Sequence, residues 1–313
     1  MTLHLNSLAS LFLALVCAPF LLTVINRTKA FVAGRQGPMW FQPYYDLQKF
    51  LSKGAVYSRT TTWVFRAGPI VGLASIIMAL TLVPFGDAPA LLSFQGDIIL
   101  FAYLLGLMRF FTVLAALDTG SSFEGMGASR EVLYSALAEP ALILGLASIA
   151  RETKDLSISG IQSQVDLAMW MSSGMVLGAV IAALIVVFLT ENARIPVDDP
   201  NTHLELTMIH EVMVLDHGGV DLAYITYGAA LKLWVLGSLI VDLVLPPHLD
   251  LGFAPLSWAV GVVIDLAGLV VLAVIVGMIE STMARLRLVR IPQLLVGAAA
   301  LSALSLILGR WGG

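Results

Sequence analysis

Residues 168–190 read AMWMSSGMVLGAVIAALIVVFLT, and residues 191–211 continue ENARIPVDDPNTHLELTMIHE. The first piece carries no ionisable side chain and is long enough to cross a hydrocarbon core, which takes about 20 apolar residues as a helix. The second crowds Glu191, Arg194, Asp198, Asp199, His203, Glu205, His210 and Glu211 into one short stretch. Polar groups this dense beside a bilayer are costly unless they face water or one another. The pair therefore predicts a membrane-spanning helix running into a polar loop that carries much of the function.

Windows of the same kind recur on both sides. They fall at about 7–26, 66–85, 97–117, 131–150, 168–190, 222–245, 255–279 and 291–309. The predicted fold is an all-α integral membrane protein with eight spans, a single transmembrane domain over residues 1–313. Composition agrees: 58% of residues are hydrophobic and 12% charged, against about 25% charged in soluble domains. A net charge of −4 gives no basic footprint for nucleic acid. Cys17 is the single cysteine, which excludes an intrachain disulfide and a cysteine-held cluster on this chain alone.

Charge sets the expected orientation. Arg27, Lys29, Arg35, Lys49, Lys53, Arg59 and Arg66 follow the first span, and Arg130, Arg194, Arg285, Arg287 and Arg290 follow the third, fifth and seventh. Arg151, Lys154 and Arg310 fall on the other side. The excess of Lys and Arg places the odd-numbered loops in the cytoplasm and both termini outside, in a multi-pass protein of the inner (plasma) membrane.

Two loops are expected to be partly helical. After Pro43, Tyr44, Leu47, Phe50 and Leu51 fall at helical spacing, predicting a short amphipathic helix on the membrane surface with Lys49 and Lys53 toward headgroups. Asp199 and Pro200 suit an N-cap and first helical residue, so a helix is expected over about 200–214, with Glu205, Ile209 and Val212 on one face. His203 and His210 stand two turns apart on it, which favours proton relay or pairing with Arg194 over a shared metal. Ser129 is read as the cap of the fourth span, with Arg130 and Glu131 in its first turn. Pro140, just after Glu139, should free a carbonyl and kink that span. The connection between spans four and five reads as short and featureless.

Ionisable residues inside or beside spans are candidates for an ion path, because burial and neighbouring charge can bring them close to neutrality. They are Glu139, Glu191, Asp198, Glu205, Glu211, Lys232, Asp242, Asp265 and Glu280. Lys232, deep in its span, is expected to pair with a carboxylate. No GxSxG, HExxH or GxxxxGK[ST] is present, so hydrolase and nucleotide-binding readings lack support. A stand-alone ion carrier stays open as a different class, although no internal repeat of the kind many carriers show is visible.

Four segments together resemble a known family. They are Gly34-Arg-Gln-Gly-Pro38 with Gln42-Pro-Tyr-Tyr-Asp46-Leu-Gln-Lys49; Leu117-Asp-Thr-Gly-Ser121 through Gly127-Ala-Ser-Arg-Glu131 and Glu139-Pro140; Arg194-Ile-Pro-Val-Asp198 with Glu205-Leu206; and Ile279-Glu-Ser-Thr-Met-Ala-Arg285. They look like the eight-span membrane subunit shared by energy-converting [NiFe] hydrogenases, formate hydrogenlyases and respiratory complex I, and the spacing fits the hydrogenase branch best. The resemblance implies a subunit with no catalytic residue and no bound cofactor or metal of its own. It would dock a peripheral arm of a hydrogenase-like large subunit and iron–sulfur small subunits, which hold the NiFe centre and the iron–sulfur clusters, and link that arm to antiporter-like membrane subunits within the lipid bilayer. Arg35, Asp46, Lys49, Arg130 and Arg194 would lie at the arm's interface, and Glu139, Glu191, Glu205 and Glu211 would form an acidic funnel for protons or sodium. In the complex I branch the same region bounds a quinone chamber. The alternative reading is therefore a quinone-pocket subunit.

Overall fold

The structure, a computed structural model, describes residues 2–198, 208–245 and 254–309. Among them, eight helices are long and apolar enough to cross a membrane, and no strand is formed. In chain order the helices are α1 (Thr2–Val32), α2 (Gln42–Leu51), α3 (Trp63–Leu82), α4 (Asp97–Asp118), α5 (Ser122–Thr153), α6 (Ile158–Gln164), α7 (Leu167–Glu191), α8 (Gly219–Val244), α9 (Ala254–Thr282) and α10 (Ile291–Leu308). Segments 33–62, 119–121, 192–198, 208–218 and 283–290 lie at one end, here the loop end. The connections 83–96 and 154–166 lie at the far end.

α8 is the axis of the bundle. It contacts α1, α2, α3, α7 and α9, and Leu231, Trp234 and Val235 on it are almost wholly enclosed. Between membrane helices, close packing and interhelical hydrogen bonds do the work that the hydrophobic effect does in water. Small residues permit the approach: a Cβ on Gly68 of α3 would sit 2.7 Å from the Ala115 Cβ of α4. Hydroxyls stitch α10 to α5, with Ser302 donating to the Ala141 carbonyl at 2.8 Å and Ser305 to the Ser148 hydroxyl at 3.0 Å.

α1 continues through Pro19. A proline has no N–H, so the carbonyl four residues earlier, that of Leu15, loses its helical donor. The Tyr227 hydroxyl on α8 donates to that carbonyl at 2.8 Å, and the Tyr44 hydroxyl on α2 donates to the next one, of Val16, at 2.6 Å. The amphipathic helix expected after Pro43 is thus present as α2, tied by its tyrosine to the side of α1. At the loop end of α3, Asp118 of α4 accepts from the backbone N–H groups of Thr62 (2.6 Å) and Phe65 (3.2 Å). An acidic side chain at a helix N-terminus satisfies orphan donors and the helix dipole together.

Three expectations need correction. The fourth span does not start at Glu131. α5 begins at Ser122, and Ser129 stands inside it, donating to the Met126 carbonyl. The added turns are helical because they pack on protein. Gly127 lies so close to residues 209–213 that a Cβ there would come 2.3 Å from the Val212 side chain. The helix expected over 200–214 is not continuous: Met208 and Ile209 are not helical, and a 3-10 turn covers Glu211–Val214. Asp198 takes the Ile209 and His210 N–H groups, each at 3.1 Å, which fixes the chain in a return turn there. Asp199, His203 and Glu205 lie outside the described residues. Finally, the connection after α5 contains α6. Its first N–H is held by buried Asp97, which accepts from Ile158 N and from the Ser157 hydroxyl, both at 2.8 Å.

Candidate functional site

Four spans bring charged side chains to one point. Arg109 stands near the middle of α4 and Lys232 near the middle of α8; Glu131 and Glu139 are on α5, and Glu191 is the last residue of α7. Arg109 reaches all three carboxylates: Nε is 3.6 Å from Glu131, Nη1 is 2.5 Å from Glu139, and Nη2 pairs with Glu191. Lys232 Nζ lies 3.8 Å from the other Glu191 oxygen, as its depth in the span predicted. Charges removed from water need opposite charges and hydrogen bonds around them, or the desolvation cost goes uncompensated. The guanidinium, with its fixed fork of donors, is suited to bridging several carboxylates.

The cluster has two exits. Glu139 is half exposed and stands, with Arg109, at one end of an apolar cleft of about 480 Å³ between α4 and α5, walled by Tyr103, Leu142 and Leu146. Toward the loop end, Glu131 and Glu191 line a small cavity of about 10 Å³ whose opposite wall is Asp198 with Ile209. That is room for about one water molecule. His210 lies against this exit. Burial, and then the Lys232 charge, lower its pKa to about 4, with Glu191 opposing, so at neutral pH it is an uncharged imidazole.

A second cluster clamps the loop end. Glu280 of α9 meets Lys29 of α1 at 2.6 Å and Arg194 at 3.3 Å. Asp198 meets Arg285 at 3.2 Å, and Leu286 N donates to the Pro196 carbonyl at 2.9 Å. The 192–198 turn, which contains the cis Ile195–Pro196 bond, is thereby fastened to the end of α9.

The sequence-predicted site residues sort by place. Glu139, Glu191 and Lys232 share the inner cluster, Asp198 stands one small cavity away, and Glu280 belongs to the clamp. Glu211 opens the 3-10 turn, and Glu205 is not among the described residues. Asp242 and Asp265 are buried neighbours in the half of the bundle toward the far end, apart from the inner cluster; Gly86 N donates to Asp265 at 2.7 Å. Of the interface candidates, Arg35 and Lys49 are exposed, and Asp46 accepts from Gln42 at 3.0 Å. Arg130 is turned inward, donating to the Met208 carbonyl at 2.9 Å, and Arg194 is taken by Glu280. The residues missing from that list are Arg109, the hub, and Glu131, Lys29 and Arg285. An arginine in mid-span was itself the available signal for Arg109, since such residues face a bundle interior. Among the described residues, no three His, Cys, Asp or Glu converge as a metal-holding group.

Known proteins share this plan. Residues 5–309 match the family model described as NADH dehydrogenase. Formate hydrogenlyase subunit 4 of Escherichia coli (strain K12) is 30% identical over 278 residues, covering 88% of this chain and 89% of that protein. Hydrogenase-4 component C of the same organism is 30% identical over 299 residues, 96% of this chain and 93% of that one. A chain in the structure of the membrane-bound sulfane sulfur reductase, an archaeal respiratory membrane complex, superposes with a TM-score of 0.80 at 21% identity, covering 99% of this chain and 100% of that one, and so shares the fold. With its eight membrane helices, the chain belongs to the NADH dehydrogenase family and is a membrane subunit of the complex I-like, hydrogenase-4 type.

Proposed function

We propose that this chain is the anchoring and coupling subunit of a hydrogenase- or formate hydrogenlyase-like complex. It holds a peripheral redox arm at its loop end and passes the arm's free energy to proton or sodium movement in the membrane. The metal centres, NiFe and iron–sulfur, sit in the arm's own subunits, and antiporter-like subunits adjoin this chain in the bilayer. The excess of Lys and Arg at the loop end supports a cytoplasmic placement of that end.

The observation that carries the reading is the inner cluster. Three carboxylates share two cations, and a small cavity stands between them and Asp198 on the loop. A group of this composition can gain or lose a proton with little change in packing, and its balance responds to any shift of residues 192–198 or 208–218 that alters the Asp198 side. Those residues are where an arm docked at the loop end would press.

The test uses the intact complex in sealed proteoliposomes. Glu191→Gln and Glu139→Gln are each expected to keep the subunit composition and the arm's turnover with an artificial electron carrier, while ion movement coupled to turnover is lost. Full ion movement in both variants would remove the cluster from the path. Loss of subunits in both would make it a structural tie.

A further inference from the structure

The loop end carries an open cleft apart from the two charge clusters. α1 ends at Val32, Gly34 beyond it is in the left-handed region with φ +66°, and the chain turns back so closely that a Cβ on Gly37 would lie 2.9 Å from the Arg27 side chain. Arg27 donates to the Pro38 carbonyl at 3.1 Å and lies over the Trp40 ring at 4.0 Å, which holds its guanidinium in one place. On the other side α9 crosses α1 at Gly277, where a Cβ would be 2.7 Å from that of Thr28. Between these contacts is a cleft of about 530 Å³ bounded by Arg27, Phe31, Arg35 and Gln36 above and by Val274 of α9 below.

The walls differ by depth. Val274 is eight residues before the end of α9, so it stands about 12 Å down a helix that spans the membrane. Arg35 is exposed, just past the end of α1, and Phe31 is 85% exposed on its last turn, the level at which aromatic side chains meet headgroups. No carboxylate lines the cleft. The nearby acid, Glu280, is already matched by Lys29 and Arg194. The site thus offers two cations at headgroup height and an apolar wall beneath them.

We propose that this cleft binds one anionic phospholipid, with its phosphate on Arg35 and Arg27 and an acyl chain passing down Val274 between α1 and α9. A protein partner would be met by the cations alone. The apolar wall continuing down a spanning helix is what favours a lipid.

The test places the intact complex in bilayers of phosphatidylcholine doped with phosphatidylglycerol bearing a photoactivatable acyl chain, and maps cross-links by mass spectrometry. The lipid is expected to label peptides around Phe31 and Val274. Arg35→Gln should reduce that labelling about five-fold, the loss of one cation near a membrane surface. Lys49→Gln, which removes a cation from α2 outside the cleft, should leave it unchanged. Equal labelling by a photoactivatable phosphatidylcholine would overturn the proposal. So would labelling insensitive to Arg35→Gln, or labelling that emerges only after the peripheral subunits are stripped away, which would assign the cleft to the arm.

Discussion

The inner cluster and the loop-end clamp use the same residue types in opposite balance. The inner one sets Glu131, Glu139 and Glu191 against Arg109 and Lys232; the clamp sets Lys29, Arg194 and Arg285 against Glu280 and Asp198. One of the clamp's acids, Asp198, is also tied into the backbone, through the N–H groups of Ile209 and His210. Among the described residues the inner acids are held by side chains, and one of them, Glu139, reaches a lateral cleft. A charge group fastened to backbone resists change. One fastened only to other charges can redistribute a proton. The difference separates a hinge pin from a working part.

The largest effect that would sharpen this contrast comes from Arg109→Leu. It leaves the enclosed Glu191 and Glu131 and the half-exposed Glu139 with Lys232 as the remaining cation of the cluster, and removing one partner from a buried ion group typically costs about 3–5 kcal/mol. The expected result is severe loss of folded chain in the membrane, read by the thermal stability of the detergent-solubilised complex. Glu280→Gln should cost less, about 1–3 kcal/mol, because Lys29 and Arg194 are partly exposed and can turn to water. Its signature is faster proteolysis within 192–198 with the inner cluster's ion movement retained. If Glu280→Gln stops ion movement as Glu191→Gln is expected to, the two clusters are one device and the contrast fails.

The smallest effect is a pH dependence of the 208–218 segment. His210 and His217 both have pKa values lowered to about 4, chiefly by burial, against about 6.5 when exposed. An opened segment therefore takes up protons that the closed one refuses, so the closed form should weaken as pH falls from about 6.5 toward 4 and level off below that. Hydrogen exchange of residues 208–218 measures this, and His210→Gln should flatten the curve. An unchanged curve in that variant would take His210 out of the clamp's neighbourhood.

Eight spans were legible because crossing a bilayer imposes one length and one polarity. What hydropathy could not show is where a helix continues beyond the lipid. α5 runs back to Ser122 with Glu124 and Arg130 on it, because at that height it is surrounded by residues 209–213 rather than by hydrocarbon. The inner acids Glu139 and Glu191 and the base Lys232 could be named from their depth in apolar segments. That Arg109 joins them could not, since its partners stand 22, 30 and 82 residues away and only the bundle brings them together. The reading of Asp199–Pro200 as a helix start lies outside the described residues; at 208–210 the backbone shows a different use of an acid, with Asp198 accepting from the Ile209 and His210 N–H groups.

Tyr227 also bears on the order in which the chain is made. Leu15 and Pro19 leave the ribosome some two hundred residues before the tyrosine whose hydroxyl serves the Leu15 carbonyl. An unserved carbonyl in hydrocarbon costs several kcal/mol. The first span is therefore incomplete as an isolated insert. It reaches its final environment only when the sixth span is threaded beside it, so a ribosome stalled between the two would leave a nascent chain whose first helix is the easiest part to pull back out.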